Sequence, residues 1–281
     1  MKLLEHTLTN DILFKMLFVK YRELLNKLVA VLLGIPPESI TEFTVINPEI
    51  PPESLGEKFC RLDVNMTVNG RRVDLEVQVG GEGDYPERSL YYWARDFSSA
   101  LGAGGKYSAL PRTIVISIVG FDLFEDCEDF SSEYEALEVR RHTRLTDKMS
   151  LLYFELTKLP KDIRAEDKLE LWLSLFAAKT EEDLAKIEAL EVPEMSQTIG
   201  AYRSVIVTNE FKEAERLRSL ARHNEASALA NAEKRGEERG EERGEQRERA
   251  KWESVVADKD AEIAEQAAEL ARLRAVYGEG K

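Results

Sequence analysis

The alternation of apolar and polar positions is sharpest over residues 61–80, RLDVNMTVNGRRVDLEVQVG. Leu62, Val64, Met66 and Val68 alternate with Arg61, Asp63, Asn65 and Thr67. Beyond Asn69-Gly70, Val73, Leu75, Val77 and Val79 alternate with Arg72, Asp74, Glu76 and Gln78. A period of two on both sides of Asn-Gly predicts a β-hairpin closed by a two-residue turn. That turn sets the register, so that Asp63 faces Glu76, Arg61 faces Gln78, and Asn65 faces Asp74. One face is apolar and requires a core. The other places two carboxylates across from each other, with Cβ atoms roughly 5 Å apart.

The same pattern organises the rest of the chain. Ile12, Leu13, Met16, Leu17, Leu24, Leu25, Leu28, Val31 and Leu32 recur at helical spacing. Thr9 or Asn10 caps this helix, and Gly34 with Pro36-Pro37 stops it. A short strand is expected near residues 43–45, and a helix over residues 86–101 with Pro86 in its first turn. Ile114 to Val119 is an apolar, β-branched run that suits a buried central strand. Residues 121–130 carry many acids and read as a surface loop; residues 138–142 and 151–156 read as two more strands. Leu169, Leu171, Trp172, Leu175 and Phe176 form one helical face, and Leu184, Ile187 and Leu190 another. One or two further helices are expected over residues 195–232. The fold class is α/β, a mixed central sheet flanked by helices, followed by a helical tail. The expected division is residues 1–192 for the sheet domain with its helical cover, 193–232 for a helical extension, and 233–281 for the tail.

The tail opens with Arg-Gly-Glu-Glu repeated over residues 235–247, which places Arg235, Arg239, Arg243 and Arg247 on one helical stripe. Each Gly costs such a helix about 1 kcal/mol relative to Ala. A weak heptad follows. Val256, Ile263, Leu270 and Tyr277 form one seam position, and Trp252, Lys259, Gln266 and Leu273 the other. Self-association through these C-terminal helices is expected, to a homo-oligomer. A solvated single helix accounts for the same pattern.

Charge and cysteine content narrow the setting. The chain has 39 Lys and Arg against 53 Asp and Glu, a net charge of −14. That argues against tight non-specific nucleic-acid binding and leaves room only for a local basic groove. Cys60 and Cys127 have no metal-ligand spacing and suit a reducing cytoplasm. Nothing resembling a signal peptide opens the sequence, and no apolar run reaches the roughly 18 residues of a membrane span. A cytoplasmic location without membrane contact is expected.

The facing carboxylates Asp63 and Glu76 repel each other unless something compensates, and a divalent cation is the simplest candidate. A solvated polar face with a chance acidic pair gives the same spacing. The pattern D-x₁₂-E-x-Q on a hairpin resembles the PD-(D/E)XK nuclease superfamily, with Gln78 where Lys is usual and no Pro before Asp63. The flanks carry more. Asn10-Asp11-Ile-Leu-Phe14-Lys15-Met-Leu-Phe18, Tyr85-Pro-Glu-Arg88-Ser-Leu-Tyr91-Tyr92, Gly105-Lys-Tyr107, Leu110-Pro111-Arg, Leu159-Pro160-Lys161 and Leu171-Trp172-Leu173 follow in that order. Together they resemble the recombination-promoting nuclease (Rpn)/transposase family.

The resemblance implies a restriction-endonuclease-like fold and Mg²⁺- or Mn²⁺-dependent endonucleolytic cleavage of DNA. Asp63 and Glu76 are then metal ligands and Gln78 orients the attacking water. Asp11 serves as an auxiliary acid, or simply complements the helix N-terminus and pairs with Lys15. Arg88 and Lys58 are the expected phosphate contacts, although an ion-paired Arg and a solvated Lys are common. The alternative is a nuclease-fold binding or scaffold module with weakened catalysis, in keeping with Gln78 and the acidic charge.

Overall fold

Asn10 starts the first helix, because its side-chain oxygen accepts the Leu13 N–H at 3.0 Å. In a computed structural model, which describes residues 2–46, 49–50, 60–61, 64–81 and 83–278, this helix is α1 (Asp11–Lys20). The single helix expected as far as Leu32 is two. Tyr21, at φ −109° and ψ 67°, leaves the helical region, and α2 (Arg22–Leu32) starts afresh. The break has a tertiary partner, since the Tyr21 and Ser204 hydroxyls lie 3.0 Å apart. Gly34 then ends α2 with a φ of +64°, a conformation that favours glycine.

The central sheet has six strands, in the order β1 (Phe43–Val45), β4 (Val64–Val68), β5 (Arg71–Gln78), β6 (Thr113–Val119), β8 (Met149–Glu155) and β7 (Ser131–Tyr134). A separate two-stranded sheet joins β2 (Glu49–Ile50) to β3 (Cys60–Arg61), where Arg61 pairs with Glu49. The main sheet is mixed, as expected. β4 and β5 are antiparallel, whereas β5, β6 and β8 run parallel. A parallel pair needs a long crossover, and between β5 and β6 that crossover contains α3 (Tyr85–Ser99).

The hairpin register agrees with the alternation. Val64 faces Leu75, Asn65 faces Asp74, and Met66 faces Val73. Asn69 and Gly70 adopt φ of 48° and 72°, the positive values that a two-residue hairpin turn requires. The Asn69 side chain also accepts the backbone N–H of Thr41 at 2.9 Å and of Glu42 at 3.0 Å, and donates to the Ser39 carbonyl at 2.7 Å.

The two faces of the sheet differ. Val64, Met66, Val68, Val73, Leu75, Val77, Ile114, Ile116 and Ile118 point into the larger core. There they meet α1, α2, α4 (Lys168–Ala177), α5 (Glu181–Glu188) and α6 (Pro193–Ile206). Phe14, Phe18, Trp172 and Phe176 form an aromatic knot in this layer, with Phe18 and Phe176 stacked at 6.3 Å. Each such side chain contributes roughly 1.5–3 kcal/mol by burial. The opposite face carries a smaller core of Tyr85, Val115, Val119, Leu151 and Tyr153 beneath α3.

One expected strand is a turn. Residues 138–142 bend back between Leu137 and Arg144, which form an isolated bridge. The Glu138 carboxylate accepts the N–H groups of Arg140 at 3.2 Å and Arg141 at 2.6 Å, and so competes with ladder formation. The strand in this region is β7, seven residues earlier and paired with β8.

The chain divides into a compact unit of residues 1–215 and a second of residues 216–281. Helix α7 (Asn209–Gly278) supplies the end of the first and most of the second. In the first unit its Phe211 is buried and packs edge-on against His6 at 4.8 Å. In the second, Trp252, Val256, Ile263, Leu270 and Leu273 are exposed. Among the described residues no helix is long and apolar enough to cross a membrane.

Candidate active site

Strand alternation sends Arg72, Asp74, Glu76 and Gln78 to the α3 face of β5. This polar row is not a solvated surface. Asp74 is 0% exposed and Glu76 is 7% exposed. Asn65, opposite Asp74, is 1% exposed. On the other side of β5, parallel pairing sets Glu76 beside Ser117 and Gln78 beside Val119.

The inner end of the row is tied to α3. Arg72 forms a close ion pair with Asp96, whose side chain is fully buried. Asn65 Nδ2 donates to the same Asp96 oxygen at 3.2 Å. Asp96 thus holds the helix against β4 and β5 together. At the outer end, Gln78 Nε2 donates to the Gly80 carbonyl at 3.0 Å.

Tyr85, the first residue of α3, covers the middle of the row and is 1% exposed. Its hydroxyl lies beside that of Ser117 without closing a hydrogen bond of ordinary geometry. Burial first, and then the negative charge of Glu76, push the Tyr85 phenol well above its ordinary value. Asp74 adds to that push, while Ser117 and the Arg88 cation oppose it. Arg88 sits one turn further along α3, its guanidinium carbon 4.7 Å from the centroid of the Tyr85 ring.

Of the residues expected at a site, Glu76, Gln78 and Arg88 fall on this face or at its rim. Asp63, expected opposite Glu76, and Lys58 lie outside the described residues. Asp11 occupies the first turn of α1, in the helical layer on the other side of the sheet, next to Asn10, whose amide donates to Glu215 at 3.2 Å. Tyr85, Ser117, Arg72 and Asp96 had no role assigned from sequence. Tyr85 stands in the quoted Tyr-Pro-Glu-Arg motif, but Ser117 reaches the site only through parallel pairing, which no local pattern announces.

The oxygens on this face suit a hard divalent cation. Asp74 and Glu76 provide carboxylates, and no sulfur or imidazole lies among the groups named. The buried oxygens Asn65 Oδ1, Ser117 Oγ and the Tyr85 hydroxyl have no hydrogen-bond partner among the described residues. Those residues include no group of three or more His, Cys, Asp or Glu able to hold a metal. The face thus offers oxygen donors of the kind a hard divalent cation takes, with Asp74 and Glu76 as its two carboxylates.

A mixed sheet between two helical layers, with an acidic hairpin buried under the crossover helix, defines an α/β fold of the restriction-endonuclease-like class. A family model described as PD-(D/E)XK nuclease family transposase matches residues 8–232, and the chain belongs to that family. Members of this superfamily generally use divalent metal ions. No curated protein and no solved structure matches the chain.

Proposed function

We propose that the protein is a metal-dependent DNA endonuclease of the recombination-promoting, transposase type. The observation that carries this reading is the burial of Glu76 on the acidic face of β5, under a helix that brings Arg88 to the same place. Asp63 and Glu76 would hold a Mg²⁺ or Mn²⁺ ion, the former assigned from its place in the hairpin sequence. Bound there, such an ion would lower the pKa of a water and stabilise charge on the phosphate.

The protein's own groups do the rest. Gln78 has its Nε2 committed to Gly80, so its amide oxygen is the end that accepts a hydrogen bond from the attacking water. Arg88 and Lys58 contact phosphate oxygens, whereas Asp11, on the other side of the sheet, complements the N-terminus of α1. Water oxygen adds to phosphorus and releases a proton to solvent, the bridging P–O bond breaks, and the departing oxygen takes a proton from solvent. Residues 233–281 form a separate tail that self-associates through its apolar seam. A cytoplasmic location suits this chemistry.

A second reading, a nuclease-fold binding or scaffold module, is favoured by Gln78 in place of Lys and by the net charge of −14. Two measurements separate them. Nicking of supercoiled plasmid that requires Mg²⁺ or Mn²⁺ and is lost in Glu76→Gln supports the enzyme. Absence of cleavage, with no thermal shift on adding either ion, favours the binding module.

A further inference from the structure

Tyr85 is placed as few surface-helix residues are. It opens α3, is 1% exposed, and meets Phe121 and Tyr153 edge-on at 6.0 and 6.5 Å. Pro86 follows it at the start of the helix and restricts the backbone there. Its ring therefore cannot turn without disturbing the smaller core. Arg88 lies three residues on, the spacing at which helical side chains meet. Its guanidinium rests over the ring at 4.7 Å, within the range of a cation–π contact.

A free arginine samples many rotamers, and fixing it on binding costs entropy. A guanidinium held over a rigid ring loses less freedom when it binds a ligand. The contact also keeps the cation on the α3 side of the sheet, the side to which Glu76 points. Arg88 is thus held on the same side of the sheet as Glu76.

We propose that Tyr85 is a positioning residue whose ring pre-orients Arg88 to grip a DNA phosphate at the mouth of the acidic face. The inference rests on the nuclease reading above and assigns to it the device that sets substrate affinity. Its ligand is the phosphodiester itself, read through charge and shape and not through base sequence.

The test measures binding of a short labelled duplex to the full-length protein in EDTA, so that no metal and no cleavage contribute. Tyr85→Phe keeps the ring and should bind within about twofold of the parent. Tyr85→Leu removes the ring and should weaken binding about as much as Arg88→Ala, by roughly threefold or more. The double variant should be no worse than Arg88→Ala alone, since both changes break one contact. Each should also reduce the salt dependence by about one phosphate contact. If Tyr85→Leu does not fold, Arg88→Lys carries the test. It keeps the charge but not the planar group, and should bind close to Arg88→Ala.

A Tyr85→Phe protein as weak as Tyr85→Leu overturns the proposal, because the hydroxyl is then what matters. So does an additive double variant, or an Arg88→Lys protein equal to the parent. If the parent cuts DNA with Mg²⁺ but Arg88→Ala binds as tightly as the parent, the positioning role fails while the nuclease reading stands. A parent that neither binds nor cuts duplex overturns both.

Discussion

Arg72 on β5 and Asp96 on α3 form an ion pair in which the acid is fully buried and the base is 20% exposed. Asn65 of β4 donates to the same carboxylate. Three elements of the site therefore meet at one side chain. Breaking a buried pair from one side costs about 3–5 kcal/mol, and the partial exposure of Arg72 places Asp96→Ala near the low end. Urea unfolding of the variant should give a loss of about 3 kcal/mol. A loss below about 1 kcal/mol would show that Asp96 does not hold α3 to the sheet.

Asp63→Asn should abolish metal-dependent cleavage and leave the metal-free protein as stable as the parent, or more stable, because the sequence alternation sets Asp63 opposite Glu76 and the change removes one of those like charges. Glu76→Gln removes a carboxylate that is 7% exposed, and should also abolish the thermal shift produced by Mn²⁺. Purified Asp63→Asn protein that cuts as fast as the parent would remove Asp63 from the mechanism.

Gln78→Lys tests the departure from the usual superfamily residue. In a working site adapted to an amide, cleavage should change by less than about tenfold, the range expected for altering one water-orienting contact. In a weakened site, Lys should raise cleavage from background. Complete loss with Mn²⁺ still bound would assign Gln78 a more specific part, beginning with its bond to Gly80.

Asp183 supplies a pH dependence away from the site. Its carboxylate accepts the N–H groups of Lys179 at 3.1 Å and Thr180 at 3.0 Å, completing a capping box on α5. Burial raises this carboxyl, but the bonds from the Thr180 hydroxyl and the two amides, with the Lys186 charge, bring it below the ordinary range. A depressed folded value stabilises the protein above the unfolded pKa of about 3.9, and that contribution disappears as pH falls through the folded value. The difference in melting temperature between parent and Asp183→Asn, worth roughly 1 kcal/mol at neutral pH, should close below about pH 4. A difference that is constant down to pH 2.5 would mean that the carboxylate charge is not involved.

Deleting residues 233–281 should leave a folded protein of lower mass in light scattering than the full-length chain. Residues 233–251 contain equal numbers of acidic and basic side chains, a composition poor at gripping phosphate. Val256, Ile263 and Leu270 lie exposed further along α7. Lys259 at the seam is paired with Glu262 at 2.6 Å, which limits the strength of any dimer. Plasmid linearisation should fall more than nicking if two joined cores cut opposite strands. Equal oligomeric states for the two proteins would take the tail out of the assembly.

Much of this architecture is legible because local pattern and tertiary burial agree. The Asn69-Gly70 turn, the alternation on β4 and β5, and the β-branched run of β6 each point to one structure, and the sheet has it. Pattern fails where a distant partner or a side chain decides. Nothing in the helical spacing marks Tyr21 as a break, since its contact with Ser204 lies far along the chain. Glu138 diverts its own backbone into a turn by accepting two N–H groups. The acidic face was readable on β5, but not its depth: a polar row looks the same in sequence whether water or α3 covers it. Ser117 and Asp96 join the site through parallel pairing and a crossover helix, both of which are non-local.

The Asn69 side chain, bonded to Ser39, Thr41 and Glu42, makes the hairpin turn a fixed origin from which positions along β5 are counted. Glu76 lies six residues beyond Gly70, a reach of about 20 Å along a strand. An inserted or deleted residue anywhere in that interval would reach the far end undiminished. It would turn every side chain beyond the change to the other face, sending Glu76 into the large core and Val77 out beneath α3. Tolerance of length changes should accordingly be lowest between the turn and Glu76, although Arg71 and Arg72 there are only partly buried. A scan of single-residue insertions would therefore map the catalytic ruler more sharply than a scan of substitutions.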